Sequence, residues 1–104
     1  MAERLAGKIA LIIGAGSVGN TAAKDGDTAG WGNGKTAATL FAREGASIFA
    51  ADLRADAVAD TANIIEREGG SCVTAAADAT NEADVERIVA ECIEAYGRID
   101  ILMN

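Results

Sequence analysis

Two glycine clusters and one aspartate stand where they could bind a phosphate-containing ligand. The apolar run 9–13 leads directly into the glycines of 14–16, and a second cluster at 30–34 opens a helical pattern. A further apolar segment ends in Asp52. Glycines let the backbone approach a pyrophosphate, a helix N-terminus faces the phosphate charge, and a carboxylate accepts hydrogen bonds from a ribose. The order indicates a dinucleotide site, although the two clusters lie farther apart than in a compact fingerprint.

The elements that must position these residues alternate between strand and helix. Apolar runs predict strands at about 8–13, 47–51 and 71–76 and from Ile99, and periodic patterns predict helices at about 34–44, 55–68 and 81–96. This alternation is typical of a parallel sheet covered by helices, an α/β Rossmann-like fold. Right-handed crossovers place the first two helices on one face. If strand four lies beside strand one, the third helix covers the other face and the strand order is 3-2-1-4. We expect a ligand above strands one and four, where the order reverses.

Each predicted helix carries an apolar stripe that should face the sheet. The stripes comprise Ala37, Leu40 and Phe41 in the first helix, Val58, Ala62 and Ile65 in the second, and Val85, Ile88, Val89, Cys92 and Ile93 in the third.

Length and composition narrow the classes of function. A chain of 104 residues is one domain at most, and its net charge of −7 argues against nucleic acid or an anionic membrane as a partner. The run 9–13 is too short for a signal peptide or a membrane span. Histidine is absent, and Cys72 and Cys92 are predicted to be reduced, buried thiols, so no metal site is expected. These features predict a cytoplasmic protein.

Six short pieces, in order along the whole chain, resemble the N-terminal half of the short-chain dehydrogenase/reductase family. They are 5–16, 32–35, 41–46, Asp52 with its two neighbours, 78–80 and 96–104. The resemblance implies a partial Rossmann dinucleotide-binding domain over 1–104, with an expanded glycine-rich loop at about 14–33. The activity it implies is hydride transfer between a nicotinamide and an alcohol or carbonyl.

The resemblance also implies a set of cofactor-binding residues. Gly14, Gly32 and Gly34 look like the three fingerprint glycines, with Gly16 or Gly30 as alternatives, and Asn33 lies within the second cluster. The remaining implied contacts are Asp52 and Leu53 at the adenosine ribose, Asp78 and Ala79 at the adenine, and Asn104 as the first residue of the family's Asn-Asn-Ala-Gly motif. NAD is expected rather than NADP, because the Asp52 carboxylate repels a 2′-phosphate, although Arg54 nearby could pair with one.

The chain departs from the family pattern in three ways. Ile13 stands where the family usually has Thr, and 20–29 looks like extra insertion in the glycine loop. The family's catalytic Ser, Tyr and Lys have no counterpart, since Tyr96 is followed four residues later by Asp100 and is expected only to pack. We therefore expect a fragment truncated after strand four, with no catalytic residues and no activity alone. Its exposed last strand invites self-association, and the full-length family forms homo-oligomers.

Two other functions compete with this interpretation. The segment 29–36 nearly satisfies the phosphate-binding loop of nucleotide hydrolases, in which Lys35 would pair with phosphates and Thr36 would hold magnesium. That motif needs a strand immediately before it, and 21–28 does not look like one, so we expect Lys35 to lie on the surface of the first helix. The other alternative is a structural fragment without function. For Asp52, an N-cap of the second helix is the alternative role.

Overall fold

A computed structural model describes residues 4–16 and 33–104 as a parallel sheet flanked by three helices. The elements are β1 (Ile9–Ile13), α1 (Asn33–Arg43), β2 (Ser47–Asp52), α2 (Ala55–Arg67), β3 (Cys72–Ala76), α3 (Glu82–Tyr96) and β4 (Ile101–Met103). Each predicted strand and helix is present, with bounds within two residues of those predicted. Most of the expected loop at 14–33, including Gly30, Gly32 and the insertion 20–29, lies outside the described residues.

The sheet has the predicted order, β3-β2-β1-β4, and every pairing is parallel. β1 pairs with β2 from Ile9 opposite Ser47 to Ile13 opposite Ala51. On its other side β1 pairs with the three residues of β4. All five residues of β1 are buried, as a central strand covered on both faces requires. The carboxyl ends of β1 and β2 therefore meet at one edge of the sheet.

Two apolar cores lie on opposite faces of the sheet, because successive strand residues point to opposite sides. One face buries Ala10 and Ile12 against α1 and α2. The other face buries Leu11 and Phe49 against Ile88 of α3. The predicted distribution of helices, two on one face and one on the other, is confirmed.

Two of the predicted apolar stripe positions are wrong. Leu40 is 45% exposed and Ile93 is 47% exposed. In α3 the buried residues are Ile88 and Cys92, so the side of the helix that carries Ile93 faces solvent. In α1 the inner face is rotated toward Lys35, Ala38 and Thr39, all of which are buried.

The surface position expected for Lys35 is also wrong, since the residue is 2% exposed. Its ammonium Nζ lies 2.8 Å from Oδ2 of Asp60 in α2. This ion pair joins α1 to α2 and allows the long aliphatic part of the lysine to lie between the helices. The charge is thus compatible with burial because a carboxylate accompanies it.

The expectation that both cysteines are buried holds for Cys92 only. Both thiols are free, and Cys72 on the outer strand is half-buried. Burial raises the pKa of the Cys72 thiol to about 12, with the nearby Glu66 carboxylate as a smaller cause. Over residues 4–16 and 33–104, no helix is long and apolar enough to cross a membrane.

Candidate functional site

The chain leaves β1 through a turn that requires glycine. Gly14 has a φ of +82°, a left-handed conformation that strains any residue with a Cβ. The N–H groups of Gly14 and Ala15 both donate to the Ala51 carbonyl oxygen, at 2.8 and 3.1 Å. These two bonds tie the turn to the carboxyl end of β2.

The amino end of α1 lies directly against this turn at Gly34. A Cβ built on Gly34 would overlap the Gly14 carbonyl oxygen and lie 2.7 Å from the Gly14 carbonyl carbon. Only glycine therefore allows the helix to come this close. The first turn of a helix carries N–H groups without intrahelical partners and a partial positive charge. The close approach brings that charge beside the Gly14 turn, in the arrangement that suits a phosphate.

Asp52, the last residue of β2, is held in place by two backbone N–H groups. Its Oδ2 accepts from Gly16 N at 2.9 Å, and its Oδ1 accepts from Arg54 N at 3.1 Å. A carboxylate offers about four acceptor positions, and the described part of the chain occupies two of them with these N–H groups. The alternative role of Asp52 as the N-cap of α2 is wrong, because Arg54 occupies that position without a side-chain capping bond.

The Arg54 side chain is paired with Asp56 in the first turn of α2. Its Nη2 lies 2.7 Å from Asp56 Oδ2, and its Nε donates to Asp56 Oδ1 at 3.3 Å. This two-pronged contact holds the pKa of Asp56 below its ordinary value. The guanidinium that could have paired with a 2′-phosphate is thus bound to a carboxylate of its own helix.

The loop after β3 reaches the same edge of the sheet. Ala77 N donates to the Asp52 carbonyl oxygen at 2.9 Å, which places Asp78 and Ala79 just beyond Asp52. Asp78 Oδ1 accepts from the hydroxyl and the backbone N–H of Thr80, at 2.6 and 2.9 Å. Hydrogen bonding to that hydroxyl, and then to the N–H, lowers the pKa of Asp78.

The structure thus brings some of the predicted site residues into contact and leaves others apart. Gly14 contacts Gly34, and Gly16 contacts Asp52, at the carboxyl ends of β1 and β2. Asn104 follows Met103, which pairs with Ile12, so it lies at the same edge and is exposed. Leu53 is 69% exposed, Ala79 is exposed, and Asn33 is the first residue of α1, whereas Gly32 lies outside the described residues.

Sequence reasoning missed Thr61, a buried residue of α2. Its hydroxyl donates to the Ala15 carbonyl oxygen at 2.9 Å and so reaches the glycine turn. The signal was present, because Thr61 completes the spacing of Val58, Ala62 and Ile65 on the inner face of the helix. A polar residue at a core position of a helix needs a hydrogen-bond partner, and here the partner is the turn.

A cleft of about 590 Å³ lies at the opposite, amino edge of the sheet. Its lining includes Ala42, Arg43, Gly45, Glu68, Gly69 and Ser71. Arg43 and Glu68 are paired with each other at 2.7 Å, so their charges already neutralise each other. The candidate site remains the carboxyl edge, where strand ends, a helix N-terminus and a carboxylate converge.

Comparisons with known proteins agree with this architecture. A family model described as enoyl-(acyl carrier protein) reductase matches residues 28–104. The 7α-hydroxysteroid dehydrogenase of Escherichia coli K12 is 34% identical over 101 residues, which cover 97% of this chain and 34% of that protein. The chain spans about a third of the length of the curated relatives that it matches.

Solved structures share the fold over nearly the whole chain. A protein from Burkholderia xenovorans, described as a short-chain dehydrogenase/reductase, superposes with a TM-score of 0.83 and 40% identity, covering 97% of this chain and 36% of that one. A 7α-hydroxysteroid dehydrogenase complexed with NADH and 7-oxoglycochenodeoxycholic acid gives a TM-score of 0.82 and 33% identity, covering 98% and 34%. With a family model matched over most of its length and the same sheet order, the chain belongs to the short-chain dehydrogenase/reductase family.

Proposed function

We propose that this chain is the cofactor-binding portion of an NAD-dependent short-chain oxidoreductase. The observation that carries the proposal is the Asp52 carboxylate, held by two backbone N–H groups beside the Gly14 turn. In such enzymes the nicotinamide exchanges a hydride with an alcohol or carbonyl, and the protein orients the reactants. A solved structure of the same fold, a 7α-hydroxysteroid dehydrogenase, is complexed with NADH, which supports a dinucleotide as the ligand.

The glycine positions at this edge of the sheet are compatible with a bound dinucleotide. Cβ atoms on Gly16 and Gly34 would collide with neighbouring atoms, and Gly14 has a left-handed backbone. Glycine at 16 and 34 lets α2 and α1 pack directly against the turn after β1, and the amino end of α1 offers N–H donors to a diphosphate there. We assign Gly14, Gly16, Gly32, Asn33 and Gly34 to this part of the cofactor.

The same geometry favours NAD over NADP. Beyond the two N–H contacts that the described residues make, the Asp52 carboxylate has acceptor capacity that suits the 2′- and 3′-hydroxyls of a ribose, and its negative charge opposes a 2′-phosphate. Arg54, the nearby cation that could reverse this preference, is engaged with Asp56. We assign Asp52 and Leu53 to the adenosine ribose.

The adenine is assigned to the loop that follows β3. Asp78 and Ala79 lie one and two residues beyond Ala77, whose N–H is bonded to Asp52. The Thr80 contacts fix the Asp78 carboxylate and order the loop. Asn104, at the end of β4 beside the end of β1, is assigned to the side of the sheet nearer the nicotinamide.

Catalysis requires a proton step that accompanies the hydride, and the 104 residues contain no Tyr-x-x-x-Lys pair to provide it. We therefore propose that the chain turns over no alcohol or carbonyl alone.

We also propose a cytoplasmic location and self-association through β4. Among the described residues that strand pairs with β1 alone, and its Leu102 is 63% exposed. Family membership and the pairing of Lys35 with Asp60 favour this function over nucleotide hydrolysis.

Isothermal titration of the 104-residue chain with NAD⁺ and with NADP⁺ tests the proposal. We expect NAD⁺ to bind more tightly. Asp52→Asn removes the charge but little volume, and loss of charged hydrogen bonds should weaken NAD⁺ binding about 10- to 100-fold. The matched control is Glu94→Gln, the same type of change at an exposed position of α3. Tighter binding of NADP⁺ by the unmodified chain would show that Arg54 dominates, and unchanged NAD⁺ affinity in Asp52→Asn would remove the ribose assignment.

A further inference from the structure

Thr61 makes a hydrogen bond outside its own helix although a local acceptor is present. Its Oγ1 lies 2.9 Å from the Ala15 carbonyl oxygen and 3.4 Å from the Ala57 carbonyl oxygen one turn earlier. Threonines inside helices commonly bond back to that earlier carbonyl. The hydroxyl has one proton, and the shorter distance directs it to Ala15. Since Thr61 is fully buried, water does not compete for this bond.

The peptide group between Ala15 and Gly16 is consequently held at both polar ends. Thr61 donates to its carbonyl oxygen, and its N–H, which belongs to Gly16, donates to Asp52 Oδ2 at 2.9 Å. A trans peptide is planar, so its C=O and N–H point in opposite directions and turn together. Fixing the carbonyl therefore fixes the direction from which the N–H meets the carboxylate.

The neighbouring contacts reinforce this link between α2 and Asp52. A Cβ on Gly16 would lie 2.7 Å from the Ala57 Cβ, so α2 also packs against the Gly16 backbone. On the other side of the turn, Ala15 N donates to the Ala51 carbonyl oxygen at 3.1 Å. Ile13, the residue before the turn, has no hydroxyl to contribute. Within residues 4–16 and 33–104, the Thr61 hydroxyl is thus the side-chain donor that sets the rotation of the 15–16 peptide.

We propose that Thr61 is a positioning residue for cofactor binding, which orients the Asp52 carboxylate toward the ribose through the Ala15–Gly16 peptide. This inference rests on the proposed function, because it assigns Thr61 to the ribose contact of Asp52. Without the hydroxyl, the 15–16 peptide loses one of its two polar contacts, and the Gly16 N–H holds Asp52 Oδ2 less firmly. The remaining acceptor capacity of the carboxylate is then less well directed toward the ribose.

The first test needs no cofactor and follows the Gly16 amide by hydrogen exchange and NMR. Thr61→Val removes the hydroxyl with little change in shape, and Thr61→Ser keeps it. We expect faster exchange and a shifted Gly16 resonance in Thr61→Val, and near-normal behaviour in Thr61→Ser. The matched control is Thr39→Val, because Thr39 is equally buried but bonds locally to the Lys35 carbonyl oxygen at 2.9 Å. An unchanged Gly16 amide in Thr61→Val would overturn the proposal.

The second test measures NAD⁺ affinity by calorimetry in the same variants. Thr61→Val should weaken NAD⁺ binding about fivefold to tenfold, and Thr61→Ser and Thr39→Val should stay near the unmodified chain. In an Asp52→Asn background, Thr61→Val should cause no further loss, since the two residues act through one path. Equal losses in both backgrounds would indicate general destabilisation and overturn the proposal. Absence of NAD⁺ binding by the unmodified chain overturns the proposed function and the ribose role together, whereas the Gly16 measurement decides the link to Asp52 separately.

Discussion

Adding a single methyl group at Gly34 should separate α1 from the turn that follows β1. In Gly34→Ala the new Cβ meets the carbonyl group of Gly14, which is backbone and cannot swing aside. The helix must therefore retreat by roughly 1.5 Å to restore ordinary contact. Such overpacking costs about 1–3 kcal/mol, and the better helix propensity of alanine offsets about 1 kcal/mol of it. We expect a net loss of unfolding free energy of about 0–2 kcal/mol.

The effect of Gly34→Ala on cofactor binding should exceed its effect on stability. Displacement of the α1 amino end moves the N–H donors away from the diphosphate, and we expect NAD⁺ affinity to fall by about tenfold or more. Calorimetry gives the affinity, and urea denaturation followed by circular dichroism gives the stability. The result that refutes the reasoning is NAD⁺ binding by Gly34→Ala equal to that of the unmodified chain.

Gly97→Ala is the matched control for this prediction. Gly97 ends α3 with a φ of +88° and has no atom within 4 Å of a built Cβ, so alanine there is strained but not crowded. The strain should cost about 1 kcal/mol, comparable to the cost at Gly34. Because Gly97 precedes β4 at the amino edge of the sheet, NAD⁺ affinity should not change.

Three further predictions concern the scaffold. Lys35→Ala should lower the unfolding free energy by about 2 kcal/mol, because packing between α1 and α2 is lost. Lys35→Met should lower it by much less, and urea denaturation of both variants measures the difference. The pKa of Asp100 is lowered mainly by the Arg98 guanidinium and then by the Ile9 N–H. The stabilisation that the Asp100 carboxylate provides is therefore present above about pH 4 and is lost as the pH falls through its folded-state pKa. Denaturation at pH 7 and at pH 3 should show a smaller acid-induced loss of unfolding free energy in Asp100→Asn than in the unmodified chain. Leu102→Lys should reduce self-association in light scattering, because it places a charge on the exposed strand β4; an unchanged mass would show that β4 is not the contact.

The order of strands could be predicted because strands and helices alternate along the chain and the crossovers have one hand. The helix faces were harder to predict, since periodicity identifies a stripe but not how far a helix overhangs the sheet. Ile93 shows this, as α3 buries Ile88 and Cys92 and leaves the next apolar position exposed. The burial of Lys35 depends on Asp60, which lies 25 positions away in the sequence, and no local pattern indicates that pairing.

The candidate site could be predicted in part from residue types. Gly14, Gly34 and Asp52 were identified because a positive φ, a close backbone approach and a carboxylate at a strand end each demand a particular residue. The bond from Thr61 to Ala15 could not be predicted, since it depends on how α2 crosses the turn. The pairing of Arg54 with Asp56 is local and could have been anticipated from the two-residue spacing of opposite charges.

The central claim is that a dinucleotide binds at the carboxyl edge of the sheet, and a titration of ¹⁵N-labelled chain with NAD⁺, followed by amide chemical shifts, tests it most directly. The account predicts the largest shifts at Gly14, Gly16 and Gly34, with little change at Gly69 and Gly97 of the amino edge. Shifts concentrated at the amino edge, or none at saturating NAD⁺, would contradict it.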